Sequence, residues 1–445
     1  MRVFRLSSIA QAALLVVTSC GVANAMNLQQ AYEAALQNDP TYRTHVHEAE
    51  AGRENRALGR SALLPQVSAS YSTSKNRADQ TAPNIFGTVS TTHPAYTSRS
   101  AYVQLRQPLF SLDSLYRYKQ GVAQANEADA RLELSNDDVA LRTAGAYMDA
   151  LYAEDQLALS IAQRDAYAEH MHVNERLYEK GEGTKTDMLE VQARLDSAEA
   201  QVLEAKDAVV AARETLEGIV GQPVHNLDRL ADDFRVVDQE QRTFDEWRSI
   251  ALINNKDLKT GRMTVEVAEQ DVKRNRSAHA PRLDFVGTYS DASSDTITQL
   301  NQQTVNRSVG IQLNVPIYSG GQINAATRQS VASRERAKSD LDARTSKVMV
   351  DLRKALSQVQ SSGQKIDALI KAVDSNKLLI KATEQSIKGG IRINLDLLNA
   401  QQQLVTSQRD LQQARYGYLL ALLRLKSAAG TLDGSDVRSM NAFFR

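Results

Sequence analysis

The sequence predicts a mainly α protein with a small β-barrel part, built from a duplicated helix-strand-strand-helix-helix unit. Three observations carry that prediction. No proline interrupts the chain from Leu109 to Gln222, or from Ile317 to the C-terminus, so two very long helical segments are allowed. Within the second segment Val348, Leu352, Ala355, Val359, Ser362, Ile366, Leu369, Val373, Asn376 and Ile380 recur at alternating steps of four and three. That is the seven-residue period of helices that lie along one another. Four short stretches alternate apolar and polar residues, the period of strands.

Residues 1–25 read as a secretory signal: Arg2 and Arg5, the apolar run Ala12–Val17, then Ala23-Asn24-Ala25 as a small-x-small cleavage site. Val17-Thr18-Ser19-Cys20 also fits a lipid-attachment box, so lipidation at Cys20 stands as the alternative to cleavage after Ala25. Cys20 is the only cysteine in the 445 residues, so disulfide and thiol chemistry are excluded beyond it.

The first unit spans 26–220. Asn27–Ala62 is helical, with a break at Asn38-Asp39-Pro40, and ends at Leu63-Leu64-Pro65. Val67, Ala69 and Tyr71 then alternate with serines (strand about 66–73). A polar loop covers about 74–98. The strand at about 100–110 carries Ala101, Val103 and Leu105 on one face. A helical hairpin (115–217) turns at Gly181 and Gly183. A linker, 221–243, separates the units. The second unit, 244–429, predicts one helix over Phe244–His279 and a strand at about 283–290. A polar loop leads to the clearest strand, about 308–316, with Val309, Ile311, Leu313 and Val315 on one face. Its hairpin (320–426) turns at Gly389 and Gly390. The tail, 430–445, is expected to be loosely ordered. The units match by motif. Ala35-Leu36-Gln37-Asn38-Asp39 answers Ala251-Leu252-Ile253-Asn254-Asn255, and Pro108-Leu109-Phe110 answers Pro316-Ile317-Tyr318.

Composition narrows function by exclusion. With 53 basic and 53 acidic residues there is no basic excess to attract nucleic acid. Beyond the signal no apolar run reaches the ~18 residues of a spanning helix. Gly181-x-Gly183-Thr184-Lys185 lacks the Gly-Lys adjacency of a phosphate loop. His45/His47 and His170/His172, two apart, share no helix face and predict no metal. No nucleophile or cofactor motif appears, so no enzyme and no cofactor are expected.

The strands are the informative part. Each has an apolar and a polar face, and little else in the chain can cover the apolar one. They are either surface hairpins packed on the helices or lipid-facing strands of a barrel with Val309, Ile311, Leu313 and Val315 outward. A bilayer tolerates no open sheet edge, and four strands close poorly, so several chains would pool their strands. Two, three or four copies would give eight, twelve or sixteen strands; twelve leaves an open lumen.

Asn27-Leu28, Ala31-Tyr32, Leu63-Leu64-Pro65-Gln66, Val315-Pro316-Ile317-Tyr318-Ser319-Gly320-Gly321 and Ala414-Arg415-Tyr416-x-Tyr418-Leu419 together make the chain resemble the TolC family of outer-membrane channel-tunnels. So do the two glycine turns that end in Asp187 and Asp396. The resemblance covers nearly the whole mature chain. It implies a homotrimer with a twelve-stranded outer-membrane barrel, a periplasmic α-helical barrel, and an equatorial belt from 218–242 and the C-terminus. Partners implied are a periplasmic adaptor and an inner-membrane transporter of ABC type, as in type I protein secretion. A drug-efflux channel of the same fold is the alternative, and a pore-free periplasmic scaffold is the reading from a different class.

The resemblance also implies a gate at the tips. Asp187 would pair with Arg392, and Asp396 would project into the aperture as a ring of three. Asn399 stands where the family has a second carboxylate, and Ile387 where it has a latch tyrosine. The plainer role for Asp187 and Asp396 is to begin the return helices, where carboxylates suit the helix dipole.

Overall fold

The computed structural model describes residues 25–83, 85–231, 233–236, 242–294 and 302–445. The signal segment up to Asn24, with Cys20, lies outside the described residues, as do parts of the linker and of the second polar loop.

The chain opens with α1 (Leu28–Asn38) and α2 (Pro40–Ser61). Asn27 and Gln30 form a reciprocal capping box, with Gln30 N donating to Asn27 Oδ1 at 2.8 Å and Asn27 N to Gln30 Oε1 at 3.0 Å. Asp39 caps α2, with Pro40 in its first turn. The second unit corrects the expectation of one helix over Phe244–His279. It breaks into α5 (Phe244–Asn254) and α6 (Lys256–Ser277). Asn255 alone makes the break, because its Oδ1 accepts from Leu258 N at 2.9 Å and caps α6 without any proline.

Strands β1 (Gln66–Arg77) and β4 (Ala95–Phe110) flank a small hairpin, β2 (Gln80–Pro83) with β3 (Val89–Thr92). The loop expected over 74–98 is therefore largely strand. Its serines and threonines are neutral to pairing: Ser74 and Ser98 hydroxyls meet at 2.8 Å, as do those of Thr81 and Thr91. With β5 (Arg282–Ser294) and β6 (Gln302–Asn314) the main sheet runs β1-β4-β5-β6, antiparallel throughout.

Register settles which residues share a face. Val67 lies opposite Leu105, Leu105 opposite Gly287, and Gly287 opposite Val309. Ala69, Val103, Tyr289 and Arg307 form the next row, and Phe285 faces Ile311 as Leu283 faces Leu313. Directly paired residues point the same way, so the apolar stripes of all four strands merge into one face. The other face carries Ser68, Gln104, Thr288 and Ser308 in one row. On it Asp284 is held by Arg106 (Nη2 to Oδ2, 2.6 Å) and Arg282 (Nε to Oδ1, 3.0 Å). Val309, Ile311 and Leu313 are 79%, 67% and 63% exposed in the single chain. No further strand pairs with the outer edges of β1 and β6 among the described residues.

From the sheet two hairpins run away: α3 (Leu112–Glu179) with α4 (Lys185–Val220), and α7 (Gln322–Lys388) with α8 (Asn394–Ala429). At ~1.5 Å per residue the outgoing arms are each about 100 Å long. The seam along α7 is real: Val348, Leu352, Ala355, Ile366 and Val373 are buried. Asn376 Nδ2 donates across it to Ser407 Oγ on α8 at 2.9 Å.

Each return helix ends on a left-handed glycine that is clamped by an asparagine. Gly221 (φ 73°) follows Val220, whose carbonyl accepts from Asn38 Nδ2 at 2.9 Å. Gly430 (φ 73°) follows Ala429, beside the Ala428 carbonyl that accepts from Asn255 Nδ2 at 2.9 Å. A Cβ on Gly430 would lie 2.3 Å from the Asn254 carbonyl, so glycine is required there on both counts.

The tail is not loose. Helix α9 (Gly434–Asn441) is capped by Asp433, and Phe444 is buried edge-on against Tyr147 at 5.6 Å. Arg229 and Arg445 exchange backbone hydrogen bonds of 3.1 and 2.8 Å, and Tyr147 Oη donates to the Met26 carbonyl at 2.9 Å. The N-terminus, the linker and the C-terminus thus knit together midway along the helices. Two phenylalanines, Phe443 and Phe444, supply the apolar area that orders so short a segment.

Candidate functional site

The hairpin tips lie at the end of the molecule remote from the sheet. Both turns use one hydrogen-bond pattern. In the first, Glu182 N donates to Leu177 O and Gly181 N to Tyr178 O, at 2.9 and 3.0 Å. In the second, Ile391 N donates to Ser386 O and Gly390 N to Ile387 O, both at 2.9 Å. This closure needs one left-handed residue, and Gly181 (φ 74°) and Gly390 (φ 70°) supply it. Gly183 and Gly389 take ordinary backbone angles, so of the four turn glycines two are required by conformation.

Asp187 sits in the first turn of α4. Thr184 Oγ1 accepts from Asp187 N at 3.1 Å and donates to Asp187 Oδ2 at 2.6 Å. Asp396 holds the matching place in α8, where Ile393 offers no side-chain cap. Arg392 is exposed, and within one chain no ion pair joins it to Asp187. Asn399 is not idle: Arg194 Nη2 of α4 donates to its Oδ1 at 2.8 Å, tying one return helix to the other.

A polar seam between α3 and α8 has no periodic signature in the sequence. Tyr416 Oη donates to Asp155 Oδ2 at 2.8 Å. Gln163 bonds Gln402, which also accepts from Tyr167 Oη at 3.3 Å. Nearer the tip, His170 Nε2 and Gln401 Nε2 meet at 2.8 Å, and Asn394 Nδ2 donates to Asn174 Oδ1 at 3.4 Å. Burial, with the Asp155 carboxylate beside it, pushes the Tyr416 phenol well above its usual range. The clue was the run Gln401-Gln402-Gln403 inside an otherwise apolar period, because amides at inward positions need partners.

Burial holds the His170 imidazole below its ordinary range, against the opposing pull of Glu384 on α7, the Gln401 bond and neighbouring Glu169. A depressed folded value means the seam draws full stability from neutral His170 above the unfolded pKa of ~6.5 and loses it as pH falls through the folded value. Backbone amides of α3 and α8 near the tip should therefore exchange faster on acidification, after correction for intrinsic rates. His170→Gln should flatten that dependence; an unchanged pH profile in the variant would assign the effect elsewhere.

Comparisons with known proteins place this geometry. A family described as Outer membrane efflux protein matches residues 31–222 and 247–431. Alkaline protease secretion protein AprF of Pseudomonas aeruginosa is 40% identical over 94% of this chain and 88% of its own length. Proteases secretion protein PrtF of Dickeya chrysanthemi is 36% identical over 98% and 95%. Outer membrane protein TolC of Vibrio cholerae is 28% identical over 94% of each. Among solved structures the Campylobacter jejuni CmeC outer membrane channel superimposes with a TM-score of 0.79 over 94% of this chain and 90% of that one, at 17% identity. Match, coverage and fold agree, and the chain is a member of the outer membrane efflux protein family, the TolC-type channels.

Proposed function

We propose that the chain is the outer-membrane exit duct of a type I secretion system, carrying protein cargo from an ABC exporter and a periplasmic adaptor to the cell exterior. Three copies would pool their sheets into a twelve-stranded barrel, each β6 edge pairing with the β1 edge of the next. The helical hairpins would then form one cylinder through the periplasm, closed at the tips. The single observation that carries this reading is the sheet: four strands in register, one continuous apolar face, and two unpaired edges. No helix among the described residues is long and apolar enough to cross a membrane, so the sheet is the element that would span. The names of AprF and PrtF favour protein cargo over small molecules.

At the tips, Asp187 of one copy would meet Arg392 of a neighbour. Asp396, whose carboxylate has no partner among the described residues, would face the axis as a ring of three. Deleting the chain from its own host should trap the exporter's protein substrate inside the cell and leave antibiotic susceptibility unchanged. The reverse outcome would make it an efflux-pump channel instead.

A further inference from the structure

The ends of four helices meet the sheet, and their charges are lopsided. Arg56 and Arg60 lie in the last turns of α2, Arg117 near the start of α3, Lys273 and Arg276 at the end of α6, and Arg328 near the start of α7. All fall within about 11 Å of the sheet-bearing helix end, at ~1.5 Å per residue. All six are exposed, and none makes an ion pair or a side-chain hydrogen bond among the described residues. Lys119 adds a seventh cation, set over the Tyr116 ring at 5.3 Å. In the same zone the acids are Glu54, Asp113 and Asp271, and Asp271 is already paired with Arg274 at 3.1 Å. Elsewhere the helices balance their charges through partners such as Arg213 with Glu154 and Lys259 with Glu133.

Directly beside this zone lie large apolar residues left wholly or half exposed in the single chain. Ile317 is 94% and Tyr318 87% exposed, and Leu64 and Phe110 are 44% and 48% exposed. Phe110 pairs with Leu283 at the end of the apolar face, Leu64 precedes β1, and Ile317 and Tyr318 follow β6, so the order along the chain is apolar strands, an aromatic and aliphatic rim, then unpaired cations. Helix-dipole compensation accounts for Arg60 and Arg276 at helix C-termini. It does not account for Arg117 and Arg328, which sit at N-terminal ends where a cation is disfavoured.

We infer that these cations form a collar that binds anionic phospholipid headgroups in the periplasmic leaflet, fixing the depth of the barrel. The inference rests on the membrane-spanning reading of the sheet. Unpaired Arg and Lys just outside an apolar band meet phosphate at the height of the headgroups, and a guanidinium binds phosphate bidentately.

The test uses the full-length protein reconstituted in mixed vesicles of phosphatidylcholine and phosphatidylglycerol, with spin-labelled lipid of either kind reporting the boundary shell. The wild type should prefer phosphatidylglycerol by about threefold or more at low salt, and the preference should fade as salt rises. Replacing Arg56, Arg60, Arg276 and Arg328 by Gln together should cut the preference by more than half, while Lys at the same four positions should restore it. Insertion into pure phosphatidylcholine tests the barrel separately. A variant that inserts there and keeps the wild-type preference overturns the collar and leaves the barrel standing. Displacement of the labelled lipid by millimolar inorganic phosphate would also overturn it, as a simple anion site. Failure of the wild type to insert into any vesicle overturns both.

Discussion

Val309→Arg should abolish the folded, membrane-inserted form, whereas Ser308→Arg, one residue away, should insert. Val309 lies near the middle of β6, in the row that runs through Gly287 and Leu105 to Val67. It is 79% exposed and touches no core. In a soluble surface hairpin a charge there would be harmless. On the lipid face of a barrel, arginine near the midplane costs about 2–4 kcal/mol per chain. A shared barrel repeats that cost in every copy, which is comparable with the whole stability of an ordinary domain. Ser308 points to the other face, where its hydroxyl meets Thr288 Oγ1 at 2.5 Å. An arginine there loses that bond but reaches water. Heat-modifiable migration and outer-membrane fractionation read the result. Normal insertion of Val309→Arg, with loss of Ser308→Arg, would reverse the faces; normal folding of both variants outside the membrane fraction would return the sheet to the surface-hairpin reading.

The second large effect is at the tips. Arg392→Ser should raise single-channel conductance in planar bilayers, and Asp396→Ala should remove block by divalent or hexammine cations added from the periplasmic side. An exposed Arg–Asp pair contributes ~0–1 kcal/mol, so three such pairs in the proposed trimer would bias a closed mouth by no more than about 3 kcal/mol. At the upper end that would keep it mostly shut and still be little enough for a docked adaptor to reverse. Asp187 is already half-engaged with Thr184, which orients its carboxylate without neutralising it. Three Asp396 carboxylates in a narrow mouth would concentrate cations there. Unchanged conductance in Arg392→Ser would move the latch to the contacts that the structure does show within one chain, Arg194 with Asn399 and His170 with Gln401. Block that survives Asp396→Ala would place the cation site on other carboxylates.

Where the physics is periodic, the sequence was readable. A period of seven put Leu352, Ile366 and Val373 in the seam of α7, and they are buried there. A period of two put Val309, Ile311, Leu313 and Val315 on one face; the register of β6 with β5 aligns the first three across the sheet, and Val315 falls just past the end of β6 at Asn314. Local chemistry without a period was harder. The break at Asn255 depends on a side-chain cap that an asparagine makes only when the geometry is right. Strands β2 and β3 rest on serine and threonine pairs that look like loop. The tail gains its order from Phe443 and Phe444 reaching Phe234 and Tyr147, contacts more than 200 residues distant in the chain. At the tips the glycine turns were legible from composition, and so was the start of each return helix, where Asp187 and Asp396 sit in the first turn. The α3–α8 seam was not, because a pairing such as His170 with Gln401 spans the two hairpins and leaves no spacing to count.

Pooling of strands between copies is tested most directly by the mass of the detergent-purified particle. Native mass spectrometry should find three chains per particle, held together until the barrel is melted. A stable, detergent-independent monomer would contradict it, since one chain leaves both β1 and β6 edges and the whole apolar face uncovered.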